Sequence, residues 1–383
     1  MTHKTTLDVE GFQLAGYNAA RPFSSFLPGI AGEYGKPMWV FYTNRGQCIS
    51  SFGVGDKNGA MLEFQPANKA YVLTSLLGFR TFIRLQGAGG VTLYEPFQPG
   101  AAAGVLQRVT VRPEELVIEE TNPALGLLVR VVYFTLPGED VPALLRCVTV
   151  QNIGGTLLEA DVLDGLPQVV PFGLEEKLLK LMSRTMEAFA EIRHVDESLP
   201  YFKLKVEPSD KPDPEWIEGG FFAFTLRQGQ TVPVIVDPEL VFGADSGLRT
   251  PQAFVANAAV DMHAARRDTL TGCAFALLPL VLAPGASSGW DSYFGQAADW
   301  NVARDFRSRA AADAAYGSHK REQNRELINR LSAQFALLAG PETLDAYTRQ
   351  AFLDNTLRGG QPVVTKGPRG PRVFHTFTRK HGD

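Results

Sequence analysis

LLVRVVYFTL (residues 127–136) alternates along most of its length. In an extended chain Leu127, Val129, Val131 and Tyr133 share one face, and Arg130 points the opposite way. LQRVTVR (106–112) repeats the pattern, with Val109 and Val111 on one side and Arg108, Thr110 and Arg112 on the other. LLRCVTVQN (144–152) is less regular: Leu144, Val148 and Val150 share a face with Arg146, while Leu145, Cys147 and Thr149 lie opposite. One wet face and one dry face mark an antiparallel sheet in a sandwich.

Working outward, MWVFYTN (38–44), AMLEFQ (60–65), RTFIRLQ (80–86) and LVIEE (116–120) read as further strands. Turn residues separate the runs at 53–59, 87–90, 96–100, 122–123 and 137–140. No helical segment alternates with these strands, which disfavours a parallel α/β sheet. One helix interrupts, LEEKLLKLMSRTMEAFAEIRH (174–194), with Leu174, Leu178, Met182, Met186 and Phe189 on one stripe, read as core packing. Strands resume at Tyr201 and continue at 219–226, 231–235, 253–259 and 271–282. The acidic, proline-rich stretch 207–220 reads as a loop whose Trp216 closes onto its own domain.

Near Asp299 the period changes from two to three or four. Val302, Phe306 and Ala310 mark a first helix. A second at 319–339 carries Ile328, Leu331, Phe335 and Leu338, and Gly340-Pro341 stops it. A third at 342–357 carries Leu344, Tyr347, Ala351 and Leu357, and a last loop leads to Asp383. The expected fold is mainly β: a large antiparallel β-sandwich over 1–299 with a helical insertion near 174–194, linker helices over 300–340, and the start of a helical domain over 341–383.

Composition narrows the class. A chain of 383 residues, 45% apolar and 20% charged, is long enough for two packed domains. Its net charge of −4, with acids and bases mixed, argues against a nucleic-acid or anionic-membrane partner. Cys48, Cys147 and Cys273 are far apart and form no CxxC, which argues against a disulfide framework or a cysteine zinc site. Cys147 and Cys273 lie in apolar runs and read as core thiols. The N-terminus lacks an apolar stretch of signal-peptide length, and the richest apolar window, 274–283, is about half a membrane span. The expected compartment is the cytoplasm.

Few short motifs carry chemistry. GAGGVT (87–92) and SFGVGDKNG (51–59) read as turns between strands, because no helix or P-loop lysine follows. KGPRGPR (366–372), with Lys366, Arg369 and Arg372, reads as a solvated basic loop. The six histidines show neither HExxH nor HxH, so no metal site is expected. The tail VFHTFTRKHGD gathers His375, Arg379, Lys380, His381 and Asp383, either a sugar-binding group or a charged surface turn. No GxSxG elbow occurs. Glycosidic chemistry needs a carboxylic acid opposite a nucleophile, and sequence spacing selects no such pair.

Longer strings go further. RPFSSFLPGIAGEYGKPMWVFYTNRGQCISSFGVGDKNGAMLEFQPANKAYVLTSLLGFRTFIRL (21–85), LDGLPQVVPFG (163–173), FLDNTLRGGQPVV (352–364) and FTRKHGD (377–383) together resemble the β-1,2-oligoglucan phosphorylases. These belong to the inverting glycoside phosphorylases that include cellobiose phosphorylase. The resemblance implies a β-sandwich, a helical linker and an (α/α)6 barrel that holds the active site. Phosphate would attack the anomeric carbon while an aspartic acid protonates the departing oxygen, with no metal or organic cofactor. The substrates would be a β-glucan oligosaccharide and inorganic phosphate, and family members commonly form homodimers. Such a barrel needs on the order of 200 residues, so only its first helix is expected before Asp383. The general acid then falls beyond Asp383, this chain alone is expected to be inactive, and its helices at 302–357 are expected to leave apolar faces uncovered. By resemblance alone, Arg379, His381 and Asp383 contact sugar. A second reading is a non-catalytic carbohydrate-binding or assembly module, with Trp39, Tyr42 and Trp216 as candidate exposed aromatics.

Overall fold

Alternating runs can bury one face only by pairing into sheets and stacking them, and the chain does this three times over. The computed structural model describes residues 5–8, 11–27, 38–87, 90–208, 212–257, 261, 263 and 265–333, with short pieces at 345–346, 348–350, 352–353, 361–368 and 370–376.

The chain opens with β1 (Thr5–Asp8), β2 (Gly11–Ala15), β3 (Ser24–Leu27), β4 (Met38–Thr43), β5 (Ile49–Val54), β6 (Ala60–Leu62) and helix α1 (Ala67–Leu77). Next come β7 (Arg80–Gly87), β8 (Gly90–Tyr94), β9 (Leu106–Val111), β10 (Leu116–Asn122), β11 (Leu127–Thr135), β12 (Ala143–Asn152) and β13 (Leu158–Leu166). Helix α2 (Glu176–Met182) precedes β14 (Ala190–Arg193), β15 (Tyr201–Leu204), β16 (Gly220–Arg227), β17 (Gln230–Val232) and β18 (Val234–Ile235). Short helices α3 (Glu239–Phe242) and α4 (Gln252–Val255) lead to β19 (Ala274–Leu282) and β20 (Ser287–Ala297). Helices α5 (Trp300–Ala311) and α6 (Tyr316–Ser332) follow, then the hairpin β21 (Gln361–Gly367) and β22 (Gly370–Thr376).

Among the described residues these strands form an 11-stranded sheet in the order β1-β2-β9-β10-β11-β12-β20-β16-β15-β14, with β17 on β16. A five-stranded sheet runs β18-β19-β13-β7-β8, and a four-stranded sheet runs β3-β4-β5-β6. Neighbouring strands pair antiparallel throughout. The protein is therefore mainly β, with layered antiparallel sheets. The main core lies between them: Val131 and Tyr133 of β11 and Val148 of β12 meet Val40, Phe52, Ile83, Val162 and Leu278 from the two smaller sheets. Each such side chain contributes about 1.5–3 kcal/mol when fully buried.

The irregularity at Arg146 has a structural cause. Its side chain is fully buried among the apolar residues that share its face. Asp164 of β13 answers it across the two sheets: Nη2 donates to Oδ1 at 2.6 Å and Nε to Oδ2 at 3.1 Å. Nη2 also donates to Gln47 at 2.6 Å and to Thr81 at 2.9 Å, and Nη1 donates to the Tyr133 hydroxyl. Thr81 and Trp290 complete the Asp164 carboxylate at 2.6 and 3.0 Å. Burial opposes the arginine's charge, but Asp164 outweighs it and holds the guanidinium pKa above its ordinary value. Next to Asp164, Gly165 has φ +157°, and a Cβ there would sit 1.9 Å from the Ala274 carbonyl oxygen. Only glycine lets β13 lie this close to β19.

The second face of the large sheet departs from a simple wet surface. At one end it is wet, where Arg108 and Arg130 pair with Glu119 at 2.5 and 3.5 Å. Elsewhere Val132, Phe134, Phe222, Phe224 and Tyr293 are covered by Ala303, Phe306 and Ala310 of α5 and Tyr316 of α6. Runs such as YFTL and GFFAFTL are apolar at consecutive positions for this reason. Asp299 starts α5 by accepting from the backbone N–H of Asn301 and Val302 at 2.8 and 3.2 Å. Glu115 anchors α6 through a two-toothed bond from Arg321 at 2.6 and 2.8 Å, and Glu139 receives Lys320 at 2.7 Å and the Tyr316 hydroxyl at 2.7 Å. The expectation that these helices leave apolar faces open is thus corrected for 300–332: the sheet covers them.

Other expectations change as well. Helix α1 interrupts the strand series; it buries only Ala70 and Thr74, so its apolar stripe is too thin to read. The expected helix 174–194 is α-helical only at Glu176–Met182, turns 3-10 over Ser183–Phe189 and becomes β14. Leu174 and Met186 of its stripe are buried, but Met182 is exposed. The expected strand 253–259 contains α4 instead. The last loop holds the hairpin β21–β22. Of the third helix, 345–346, 348–350 and 352–353 are helical, and its other residues lie outside the described ones, as do Phe335 and Leu338.

Two outcomes test this account. Arg146→Met leaves the Asp164 carboxylate buried without its cation and should cost about 4 kcal/mol in urea unfolding, more than a cavity of that shape alone. Glu115 is held below its ordinary pKa of 4.5: burial pushes it up, but Arg321 and Arg112 outweigh burial. A depressed carboxylate stabilises above its unfolded pKa and loses that contribution as pH falls through the folded value. Glu115→Gln should therefore lower Tm at pH 7 and lose this deficit progressively below pH 4.5.

Candidate functional site

The resembling stretch 163–173 ends β13 and turns across one end of the smaller sheets. Two prolines in that turn, Pro167 and Pro171, keep the backbone out of the ladder. Pro167, Gln168 and Val170 thereby form one wall of a cleft of about 480 Å³. Leu73 and Leu77 of α1 face it, and Phe242 of α3 adds an aromatic surface. Among the described residues, four carboxylates line it, Glu63, Glu187, Glu239 and Asp245, against one guanidinium, Arg266.

Each charged group is held by its neighbours. Asp237, two residues past β18, accepts from Arg266 Nε and Nη2 at 3.2 Å each, and from the Arg266 backbone N–H at 3.0 Å. Arg266 Nη2 also pairs with Glu239 at 3.0 Å. The hydrogen bond to Asp237 leads in raising the Arg266 pKa above its ordinary value. Glu187 accepts from the Thr271 backbone N–H at 3.1 Å and hydroxyl at 2.9 Å. Asp245 accepts from the backbone N–H of Thr250, Gly247 and Arg249 at 2.8 to 3.0 Å, which lowers its pKa. Glu63 differs: burial raises its pKa, with Lys180 opposing.

This arrangement has definite chemical capacities. Carboxylates aimed into a cleft accept hydrogen bonds from hydroxyl groups. A carboxyl lifted by burial, such as Glu63, can hold a proton above the usual carboxylate range. A single guanidinium already shared between two carboxylates is a weak clamp for a phosphate dianion. No group of three or more metal-ligating side chains gathers among the described residues.

The residues singled out from the sequence fall elsewhere. Arg379, His381 and Asp383 lie outside the described residues. His375 is in β22 opposite Pro362. In GAGGVT, Gly87 of β7 stands opposite Gly90 of β8, and in KGPRGPR, Lys366 and Gly367 of β21 stand opposite Pro371 and Gly370 of β22. Trp39 and Tyr42 are buried, contrary to the expectation of exposed aromatics, and the Trp39 indole N–H donates to the Asp56 carbonyl at 2.9 Å. Trp216 is the reverse case: instead of closing its loop onto the domain it is 71% exposed. Cys48 and Cys273 are buried and Cys147 half-buried, all as free thiols. Sequence reading missed Glu63, Glu187, Asp237 and Arg266. A faint signal existed in VIVDPE (234–239), where an apolar run ends in an acid and a proline.

No protein-family model matches the sequence, and no curated protein matches it. Among solved structures the chain is similar to a polysaccharide lyase at 10% identity and TM-score 0.37, over 71% of this chain and 34% of that one. It is similar to a protein from Escherichia coli K12 described as an aldose 1-epimerase, at 12% identity and TM-score 0.36, over 72% and 99% of the two chains. It is also similar to a protein from the human microbiome described as a kojibiose phosphorylase, at 7% identity and TM-score 0.29, over 93% and 33%. The chain thus spans about a third of the length of the lyase and of the phosphorylase. None of its described helices is long and apolar enough to cross a membrane.

The cleft predicts a pH signature. Glu63 has a raised folded-state pKa, so its favourable contribution is complete below about 4.5 and lost as pH rises through the folded value. Glu63→Gln mimics the protonated form. Its Tm should match the parent at pH 4 and exceed it at pH 8 in paired thermal melts.

Proposed function

We propose that this chain forms the N-terminal portion of an inverting glycoside phosphorylase that cleaves β-linked glucans, in the first place β-1,2-linked, to α-glucose 1-phosphate. The observation that carries this reading is the agreement of two independent features. Long strings at 21–85, 163–173, 352–364 and 377–383 resemble that family. The sheets stack and then receive two helices straight after Asp299, the order that the resemblance implies. In this reading 1–299 is the sandwich, 300–340 the linker and 341–383 the entry to the barrel.

The chemistry proposed for the intact enzyme is a single displacement. A phosphate oxygen attacks the anomeric carbon, the bond to the leaving glucan oxygen breaks, and a carboxylic acid gives that oxygen its proton. Attack from the face opposite the leaving group turns a β-linkage into an α-phosphate. Arg379, His381 and Asp383 are proposed sugar contacts, and the proton donor is assigned to no residue of this chain. The reaction asks for no metal or organic cofactor; the partners are a β-glucan, inorganic phosphate and a second copy of the enzyme, in the cytoplasm. The carboxylate-rich cleft suits hydroxyl groups better than phosphate, which supports a glucan-holding role for it.

A second reading, a non-catalytic carbohydrate-binding or assembly module, is favoured by the exposed indole of Trp216. One assay separates the two. The chain and the full product of its reading frame are each incubated with β-1,2-glucan and inorganic phosphate. Phosphate-dependent release of glucose 1-phosphate by the full product supports the phosphorylase. Saturable oligosaccharide binding with no release from any β-glucan supports the module and defeats the first reading.

A further inference from the structure

One hydroxyl in the cleft is left without a protein partner. Ser50 of β5 lines the cleft and is only 6% exposed. Its Oγ makes no hydrogen bond among the described residues. The neighbouring Ser51 Oγ is sealed from solvent, but the Ser50 Oγ is not, and it opens into the cleft. A hydroxyl buried to this degree finds its partner in a water or a ligand. The fold brings other polar groups beside it. β5 pairs with β6, and the turn after β13 bonds to β6 through the Val170 N–H and the Met61 carbonyl at 3.0 Å. Ser50, Glu63 just past β6, and Gln168 in the turn thus enter one cleft from adjacent backbone segments. The loop after α3, which contributes Phe242 and Leu248 to the lining, is held in place. Arg80 of β7, 3% exposed, donates to the Leu248 carbonyl, to the Arg249 carbonyl at 2.8 Å, and to both Glu95 oxygens at 2.6 and 2.8 Å. Leu248 keeps φ +55° there, a conformation that persists only where its surroundings fix it. A wall set before a ligand arrives lowers the ordering cost of binding.

The lining groups select the chemistry of that ligand. The Ser50 hydroxyl and the Gln168 amide can each donate and accept, as a sugar hydroxyl does. Leu73 and Leu77 of α1 supply apolar surface for the C–H face of a pyranose ring. An anionic sugar is disfavoured. Glu63, Glu187, Glu239 and Asp245 would repel it, and Arg266 is already held by Asp237 and Glu239. The cleft volume, about 480 Å³, falls within the range of roughly 300–1,000 Å³ usual for small-molecule sites.

We propose that the cleft is a subsite for a neutral pyranose, in which Ser50 reads one sugar hydroxyl and the surrounding carboxylates exclude a uronic acid. This inference rests on the glucan-holding role proposed above and names the chemistry which that role selects. The test titrates the whole chain, by calorimetry and saturation-transfer NMR at pH 7, with methyl β-D-glucopyranoside and with methyl β-D-glucuronide, which differ only at C6. The expected result is saturable glucoside binding, at least ~10-fold tighter than that of the glucuronide. Ser50→Ala should weaken it about 5- to 10-fold at an unchanged far-ultraviolet spectrum, and Trp216→Ala, outside the cleft, should leave it unchanged. Should Ser50→Ala not fold, Gln168→Ala, at a half-buried position of the same cleft, decides by the same loss. The proposal is overturned if the parent shows no saturable glucoside binding, so that water alone completes Ser50. It is equally overturned if the glucuronide binds as tightly as the glucoside, if Ser50→Ala binds as tightly as the parent, or if Trp216→Ala abolishes binding. Release of glucose 1-phosphate by the full product of the reading frame is measured in parallel. Release without glucoside binding by the chain defeats the subsite alone, and binding without release defeats the phosphorylase alone.

Discussion

The ion pair between Arg146 and Asp164 ties the layers together. Two charges withdrawn from water are tolerable only when every remaining proton and lone pair finds a partner. Here the partners come from all three sheets: Tyr133 and Trp290 from the largest, Thr81 from the second, and Gln47 from the loop that joins two strands of the third. A shift of any layer by one residue would turn one of these groups to the opposite face and strand the pair. Apolar packing supplies the larger share of the stability, but it is tolerant of sliding. The polar network is not, and it specifies how the sheets sit on one another.

Its consequences reach the cleft. Asp164 and Gly165 fix the last turn of β13 against β7 and β19. The chain leaves that strand as Leu166-Pro167-Gln168, with its direction already set, and the Val170 backbone N–H bonds to Met61 at 3.0 Å. The same few residues therefore lock the core and shape the cleft wall. The most distinctive string in the middle of the sequence, LDGLPQVVPFG, does both tasks.

The helices after Asp299 belong physically to the sandwich. Phe306 packs among Phe222, Phe224 and Tyr293, with ring centres 5.6 to 5.9 Å apart. Gly317 lets α6 approach the sheet, since a Cβ there would lie 2.2 Å from an Asp291 carboxylate oxygen. Glu115 and Glu139 then hold the helix by its basic side chains. A large sheet packed on one face by the smaller sheets and on much of the other by α5 and α6 is a stiff platform, suited to carrying clefts at its edges and any helical domain joined to it.

Much of this was legible beforehand, and the misses have reasons. Strict alternation in LQRVTVR and LLVRVVYFTL made antiparallel stacking readable, because a period of two leaves no other way to bury one face. Arg146 stood out as a charge on an apolar face, though its partner eighteen residues on did not. Helix α1 was invisible because it touches the core through only two side chains, and 174–194 misled because its helical period ends where β14 pairs with β15. The cleft acids and Ser50 were beyond reach for a different reason. Local order depends on neighbours along the chain, so the sequence by itself determined the strands, their turns and the switch to helices at Asp299. A site depends on residues from distant strands meeting at one point, and only the stacking of the sheets decided which carboxylates share a cleft and which hydroxyl opens into it.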